Sequence, residues 1–219
     1  LGLSASAIVL DLAADRLWLL DSLTLPLWVA ALASAGLGFW VVPLLRSLKA
    51  GQIIREDGPQ AHLKKAGTPT MGGIFFLPVA VVVALLGTGF AQNVVAVSLL
   101  TLAFGAIGWA DDWQIIRRKS NKGISPRMKL ALQIGVAALF CLWLMVSQPA
   151  SITTIALPLG LVLPLGFLFW LLAGFVLVAE SNATNLTDGL DGLAAGTAAI
   201  ALLGLGAVIA PTAPDLMVF

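Results

Sequence analysis

NVVAVSLLTLAFGAIGWADDWQIIRRKSNKG, residues 93–123, carries no charge from 93 to 110, then two adjacent acids, Asp111 and Asp112, then Arg117, Arg118, Lys119 and Lys122. An apolar run of that length is close to the ~20 residues that cross ~30 Å of hydrocarbon as a helix. The stretch therefore reads as a membrane-spanning helix that ends in a polar, basic border.

Working outward, apolar stretches of similar length fall at about 23–45, 71–90, 130–148, 164–180 and 192–210. With 59% hydrophobic and 11% charged residues, against ~25% charged in an ordinary soluble domain, the chain reads as all-α, a polytopic transmembrane helix bundle. About six spans in one integral membrane domain, 1–219, are expected. The piece ASITTIALPLGLVL, 150–163, is broken by Pro158 and Gly160 and reads as an interfacial segment. Residues 1–22 mix an apolar run with Asp11, Asp15, Arg16 and Asp21, an interfacial lead-in of undefined shape. The one cysteine, Cys141, lies in an apolar run, which suits packing. The opening LGLSASAIVL lacks the basic region of a secretory signal, and both ends read as cuts in a longer protein.

Of the 12 Lys and Arg, five fall in 46–70 (Arg46, Lys49, Arg55, Lys64, Lys65) and six in 111–129 (Arg117, Arg118, Lys119, Lys122, Arg127, Lys129). Basic loops stay in the cytoplasm, so loops 46–70 and 111–129 are placed there, and by parity the junction 180–191 as well. The charge serves topology, or it also binds anionic headgroups and phosphates.

Three polar patches thus share one membrane face. REDGPQAHLKKAGTPTMGG, 55–73, joins Lys64 and Lys65 to a Gly-rich turn before a helix, where backbone N–H groups can receive an anion. The alternative is a loop capped locally by Thr68 or Thr70, with His62 a solvated bystander. Asp111 and Asp112 sit where an unpaired carboxylate is expensive. A hard cation such as Mg²⁺, held by one or two carboxylates together with substrate phosphates, is one reason to keep them; neutralisation by Arg117, Arg118 and Lys119 is another. In ESNATNLTDGLDGLAAG, 180–196, the residues Asn182, Asn185, Asp188 and Asp191 recur every three residues, a polar stripe expected to line a watery cleft. The sequons at Asn182 and Asn185 lie on the cytoplasmic side, away from glycosylation. Gly192 and Gly196 form a G-x-x-x-G that suits helix packing within the chain.

Four carboxylates, lysines and a Gly-rich turn at one face suit Mg²⁺-assisted phosphoryl transfer. No Ser/His/Asp set is apparent, one Cys and one His cannot make a zinc site, and no basic aromatic surface offers itself to nucleic acid.

DGPQAHLKKAGTPTMGG, DDWQIIRRKSNKG and NATNLTDGLDGLAAG, in that order, resemble the signatures of the phospho-N-acetylmuramoyl-pentapeptide transferases, a branch of the polyprenyl-phosphate N-acetylhexosamine-1-phosphate transferase superfamily. The resemblance implies transfer of phospho-MurNAc-pentapeptide from UDP-MurNAc-pentapeptide to undecaprenyl phosphate, giving lipid I and UMP, with Mg²⁺ as cofactor. It implies a multi-pass protein of the bacterial inner membrane with its active face in the cytoplasm. By motif, Asp111 resembles a base on the lipid phosphate and Asp112 its partner close to the metal. Asn185, Asp188 and Asp191 resemble nucleotide-side residues, and Lys65, Thr70 and Lys122 resemble positions near the diphosphate. The catalytic set implied is Asp111, Asp112 and Asp188, and the same three are the implied metal ligands. The expected partners are UDP-MurNAc-pentapeptide, undecaprenyl phosphate and the lipid bilayer, with a homodimer left open and no nucleic acid. The family pattern also implies a longer fold of about ten spans of ~20 residues each, so the chain reads as a fragment with an incomplete site. Competing readings are a sibling transferase using UDP-GlcNAc, an inactive membrane fragment, and a transporter, which would need midplane acids and internal repeats that this chain lacks.

Overall fold

A computed structural model of the chain describes residues 2–13, 22–47, 71–118, 123–188, 190 and 192–209. Lys65, Thr70, His62, Lys122 and Asp191, and most of the loop expected at 46–70, lie outside the described residues.

The described elements are α1 (Gly2–Ala13), α2 (Thr24–Ser47), α3 (Gly73–Gly87), α4 (Gln92–Arg118), α5 (Pro126–Ser147), α6 (Phe167–Thr187) and α7 (Leu193–Ile209), with a hairpin of β1 (Thr154–Ala156) and β2 (Val162–Pro164) between α5 and α6. Each helix from α2 to α6 packs on the next, and α1 contacts both α2 and α7. The result is an all-α bundle in which α2, α4, α5 and α6 are long and apolar enough to cross a membrane, while α3 and α7 are shorter apolar helices. Bulky apolar side chains line the outside, among them Phe39, Trp40, Leu139, Val146, Phe167 and Phe175. In a solvent as apolar as leucine this exposure costs nothing.

Helix ends depart from the apolar runs in both directions. The run 71–90 overshoots α3, because Gly87-Thr88-Gly89-Phe90 forms a tight stop. Phe90 N donates to Leu85 O at 2.9 Å and Gly89 N to Leu86 O at 3.4 Å, with Gly89 at φ +57°. This is the paired bonding of a Schellman turn, which takes a glycine in the left-handed region. Conversely, α4 continues through Asp111 and Asp112 to Arg118, and α6 runs to Thr187. The expected loops 111–129 and 180–191 are therefore largely helical. Hydropathy marks the edge of the bilayer, whereas a helix stops at a breaker, and none intervenes before Gly123 and Pro126 or before Asp188-Gly189.

Residues 2–13 are a helix, and Asp11, 5% exposed, ties it to α2. Its Oδ1 accepts from Leu23 N at 2.7 Å; its Oδ2 accepts from Thr24 N at 3.0 Å and from Thr24 Oγ1 at 2.5 Å. An acid thus caps a helix N-terminus from another helix, satisfying donors that α2 cannot satisfy itself. Asp11→Ala is expected to cost about 2–4 kcal/mol, since it strands two backbone donors. A clearly lower Tm in detergent, with a smaller drop for Asp11→Asn, is the expected measurement.

The segment 150–163 forms an uncharged hairpin with Leu157, Leu159 and Leu161 exposed. Gly192 and Gly196 face open space, with nothing within 4 Å of a Cβ built at either. The expected G-x-x-x-G packing is thus not made among the described residues.

Candidate active site

The C-terminal part of α4 and the first turn of α5 are joined through one carboxylate. Ser125 is the N-cap of α5, its Oγ accepting from Met128 N at 3.3 Å, and Pro126 takes the first helical position, where its missing N–H is harmless. This starts α5 early enough to put Lys129 in its first turn. Lys129 Nζ meets Asp111 Oδ2 at 2.9 Å, and Ile124 N donates to Asp111 Oδ1 at 2.9 Å. Both carboxylate oxygens of Asp111 are therefore directed by groups across the α4–α5 turn. Lys129 and Asp111 side chains are each 19% exposed, so the pair is only partly screened by water.

Gly123 belongs to the same arrangement for reasons of space. A Cβ built there would overlap Asp111 Oδ1, with the Asp111 carbonyl oxygen at 3.1 Å. Only a residue without a side chain lets the loop close over the acid.

A cavity of about 680 Å³ opens beside this turn. Asp111, Asp112 and Lys129 line it from α4 and α5, Asn185 and Asp188 from the end of α6, and Met71, Gly72 and Gly73 from the start of α3. The N-cap of α3 is Gly72, with no side-chain capping bond, and with Met71, Gly72 and Gly73 in the lining the positive end of that helix faces the cavity. Trp109, also in the lining, stacks on Trp113 at 5.8 Å and 18°. Two indoles flanking the acid pair suit a membrane–water boundary at that level of α4.

Of the residues expected from the sequence, Asp111, Asp112, Asn185 and Asp188 thus share one cavity. Asn182 departs from the expected stripe. Its Nδ2 donates to Gln133 Oε1 at 2.9 Å and to Val178 O at 2.8 Å, so it turns onto α5. The expected ligand trio Asp111, Asp112 and Asp188 does not form a ready cage: no three His, Cys, Asp or Glu side chains converge as a metal-holding group among the described residues. One or two carboxylates facing a cavity, with substrate oxygens completing the shell, still match what Mg²⁺ takes. Lys129, Gly123 and Gln133 escaped the sequence reading. Lys129 was one cation among many in a basic stretch, although a lysine and a glutamine one turn apart in an apolar helix are themselves a signal.

Residues 94–218, more than half the chain and including most of α4 and all of α5 and α6, match the family model described as glycosyl transferase family 4. The chain belongs to glycosyl transferase family 4. Residues 65–77, which include the cavity-lining Met71, Gly72 and Gly73, match phospho-N-acetylmuramoyl-pentapeptide-transferase signature 1. Among curated family members of that name, the protein of Nostoc punctiforme is 71% identical over 220 residues, covering 100% of this chain and 61% of its own length. That of a Nostoc sp. is 72% identical, with 100% and 60% covered, and that of a Synechocystis sp. is 58% identical over 207 residues, with 94% and 56% covered. The chain thus spans about three fifths of the length of these curated relatives.

Proposed function

We propose that this chain forms the catalytic part of a phospho-N-acetylmuramoyl-pentapeptide transferase. Phospho-MurNAc-pentapeptide passes from UDP-MurNAc-pentapeptide to undecaprenyl phosphate, giving lipid I and UMP for peptidoglycan synthesis. One P–O bond forms, from a lipid phosphate oxygen to the sugar-bearing phosphorus, and one breaks, releasing UMP. The observation that carries the reading is the single cavity at the ends of α3, α4, α5 and α6 that joins three carboxylates, a lysine and a helix N-terminus.

The residues divide by charge. The N-terminus of α3 and Lys129 attract phosphate oxygens, and the motif resemblance assigns Lys65, Thr70 and Lys122 to the diphosphate as well. An ammonium has three donors, so Lys129 can keep Asp111 while donating to a phosphate. Asp111, aimed by Lys129 and Ile124, takes the proton of the lipid phosphate when that group arrives monoprotonated. Asn185 and Asp188, which line the cavity, are assigned to the nucleotide half, and the motif resemblance adds Asp191 to them. Asp112 and Asp188, with Asp111 at the edge, would hold Mg²⁺. The cation would supply neutralisation of the negative charge on the reacting phosphates. The basic ends of α2 and α4, Arg46 and Arg117–Arg118, support a cytoplasmic face for the site by the positive-inside rule.

Metal removal tests the ion requirement. UMP release from UDP-MurNAc-pentapeptide and undecaprenyl phosphate should stop in excess EDTA and return on adding Mg²⁺. Unchanged release in EDTA would remove the metal from the account.

A further inference from the structure

Gln133, 1% exposed, is the largest fully buried side chain among the described residues. Its Nε2 donates to Ser181 Oγ at 3.1 Å and its Oε1 accepts from Asn182 Nδ2 at 2.9 Å. One amide on α5 thus grips two successive residues of α6. Away from the cavity the helix pair is apolar: beyond Asn182 a groove of about 680 Å³ is lined by residues such as Leu130, Ile134, Cys141, Phe175 and Val178. Apolar side chains pack as readily on lipid tails as on one another and fix no register. A slip of one residue along α6 would move it ~1.5 Å and turn it ~100°, which breaks both amide bonds.

This grip lies one turn from the cavity on both helices. Gln133 is four residues from Lys129 and on the same face of α5; Ser181 and Asn182 are four and three residues from Asn185 on α6. We infer that Gln133 is a positioning residue, which sets the register of α5 on α6 and so holds Lys129 and Asp111 at the correct separation from Asn185 and Asp188. The inference rests on the transferase reading of that cavity. Gln133 lies outside the cavity lining and acts through the two helices, while the lysine, carboxylates and amide it aligns meet the substrates.

The test is made on the full-length protein in detergent with both substrates. Gln133→Leu fills the same space without the two polar bonds. It should stay folded and elute as the wild type, with a Tm lowered by the stranded Ser181 and Asn182 groups, while kcat falls at least tenfold, toward the ~10²-fold that a 1 Å misplacement costs, with each KM within about threefold. The exchanged pair Gln133→Asn with Asn182→Gln keeps two facing amides and should recover most of the lost kcat. Wild-type kcat in Gln133→Leu would overturn the inference, as would loss of folding in that variant or no recovery in the exchanged pair. No turnover by the wild type would instead strike the transferase reading on which the inference stands.

Discussion

Asp111→Asn is expected to lower turnover about 10³-fold, within the range for removing a group that moves a proton in the transition state, while the protein stays folded and soluble in detergent. The carboxylate accepts from two donors, Ile124 N and Lys129 Nζ. An asparagine offers one oxygen and an amino group, so it can satisfy only one of them and sets N–H against the other. That mismatch costs about 1–3 kcal/mol, less than the roughly 5–15 kcal/mol that holds a typical fold. The carboxylate proposed to take the proton is gone. Size-exclusion elution beside the initial rate separates the two effects, and a wild-type rate in Asp111→Asn would take this carboxylate out of the chemistry.

Gly123→Ala should come next in size, although the residue carries no functional group. A methyl there overlaps Asp111 Oδ1, so either the loop opens or the carboxylate rotates away from Ile124 and Lys129. Forcing an extra methyl into a closed site costs about 1–3 kcal/mol, and a misplaced catalytic group about 10² in rate. The two substitutions share one mechanism. Gly123→Ala introduced into the Asp111→Asn protein should therefore lower the rate by much less than it does in the wild type. Full additivity would mean that the glycine serves something other than Asp111.

The class of fold was legible in the sequence because apolar runs near bilayer length have few other uses, and because 11 of 12 basic residues fall in two stretches. The ends of the helices were less so. Asp111, Asp112, Arg117 and Arg118 looked like a loop because they are polar, yet nothing there interrupts the backbone and α4 runs through them. Residues 1–22 looked shapeless because Asp11, Asp15, Arg16 and Asp21 interrupt their apolar run, whereas 2–13 are a helix and Asp11 is what couples α1 to α2.

The cavity shows the same division. Asp111, Asp112, Asn185 and Asp188 stood out as polar residues at the border of hydrocarbon, and all four line it. What the sequence concealed were partnerships: which cation of six in 111–129 meets Asp111, why position 123 has no side chain, and that Asn182 faces Gln133 across a helix pair. Each depends on the rotation of one helix against another, which spacing along a single helix does not specify.

The proposed transfer of phospho-MurNAc-pentapeptide to a lipid phosphate in this cavity can be tested directly. The most direct measurement offers UDP-MurNAc-pentapeptide or UDP-GlcNAc, with undecaprenyl phosphate and Mg²⁺, to this chain and to the chain extended to the length of its relatives. The account predicts a lipid-linked product from the muramoyl donor with the extended chain and none from UDP-GlcNAc. Product from UDP-GlcNAc alone, or from neither donor with the extended, folded protein, would contradict it.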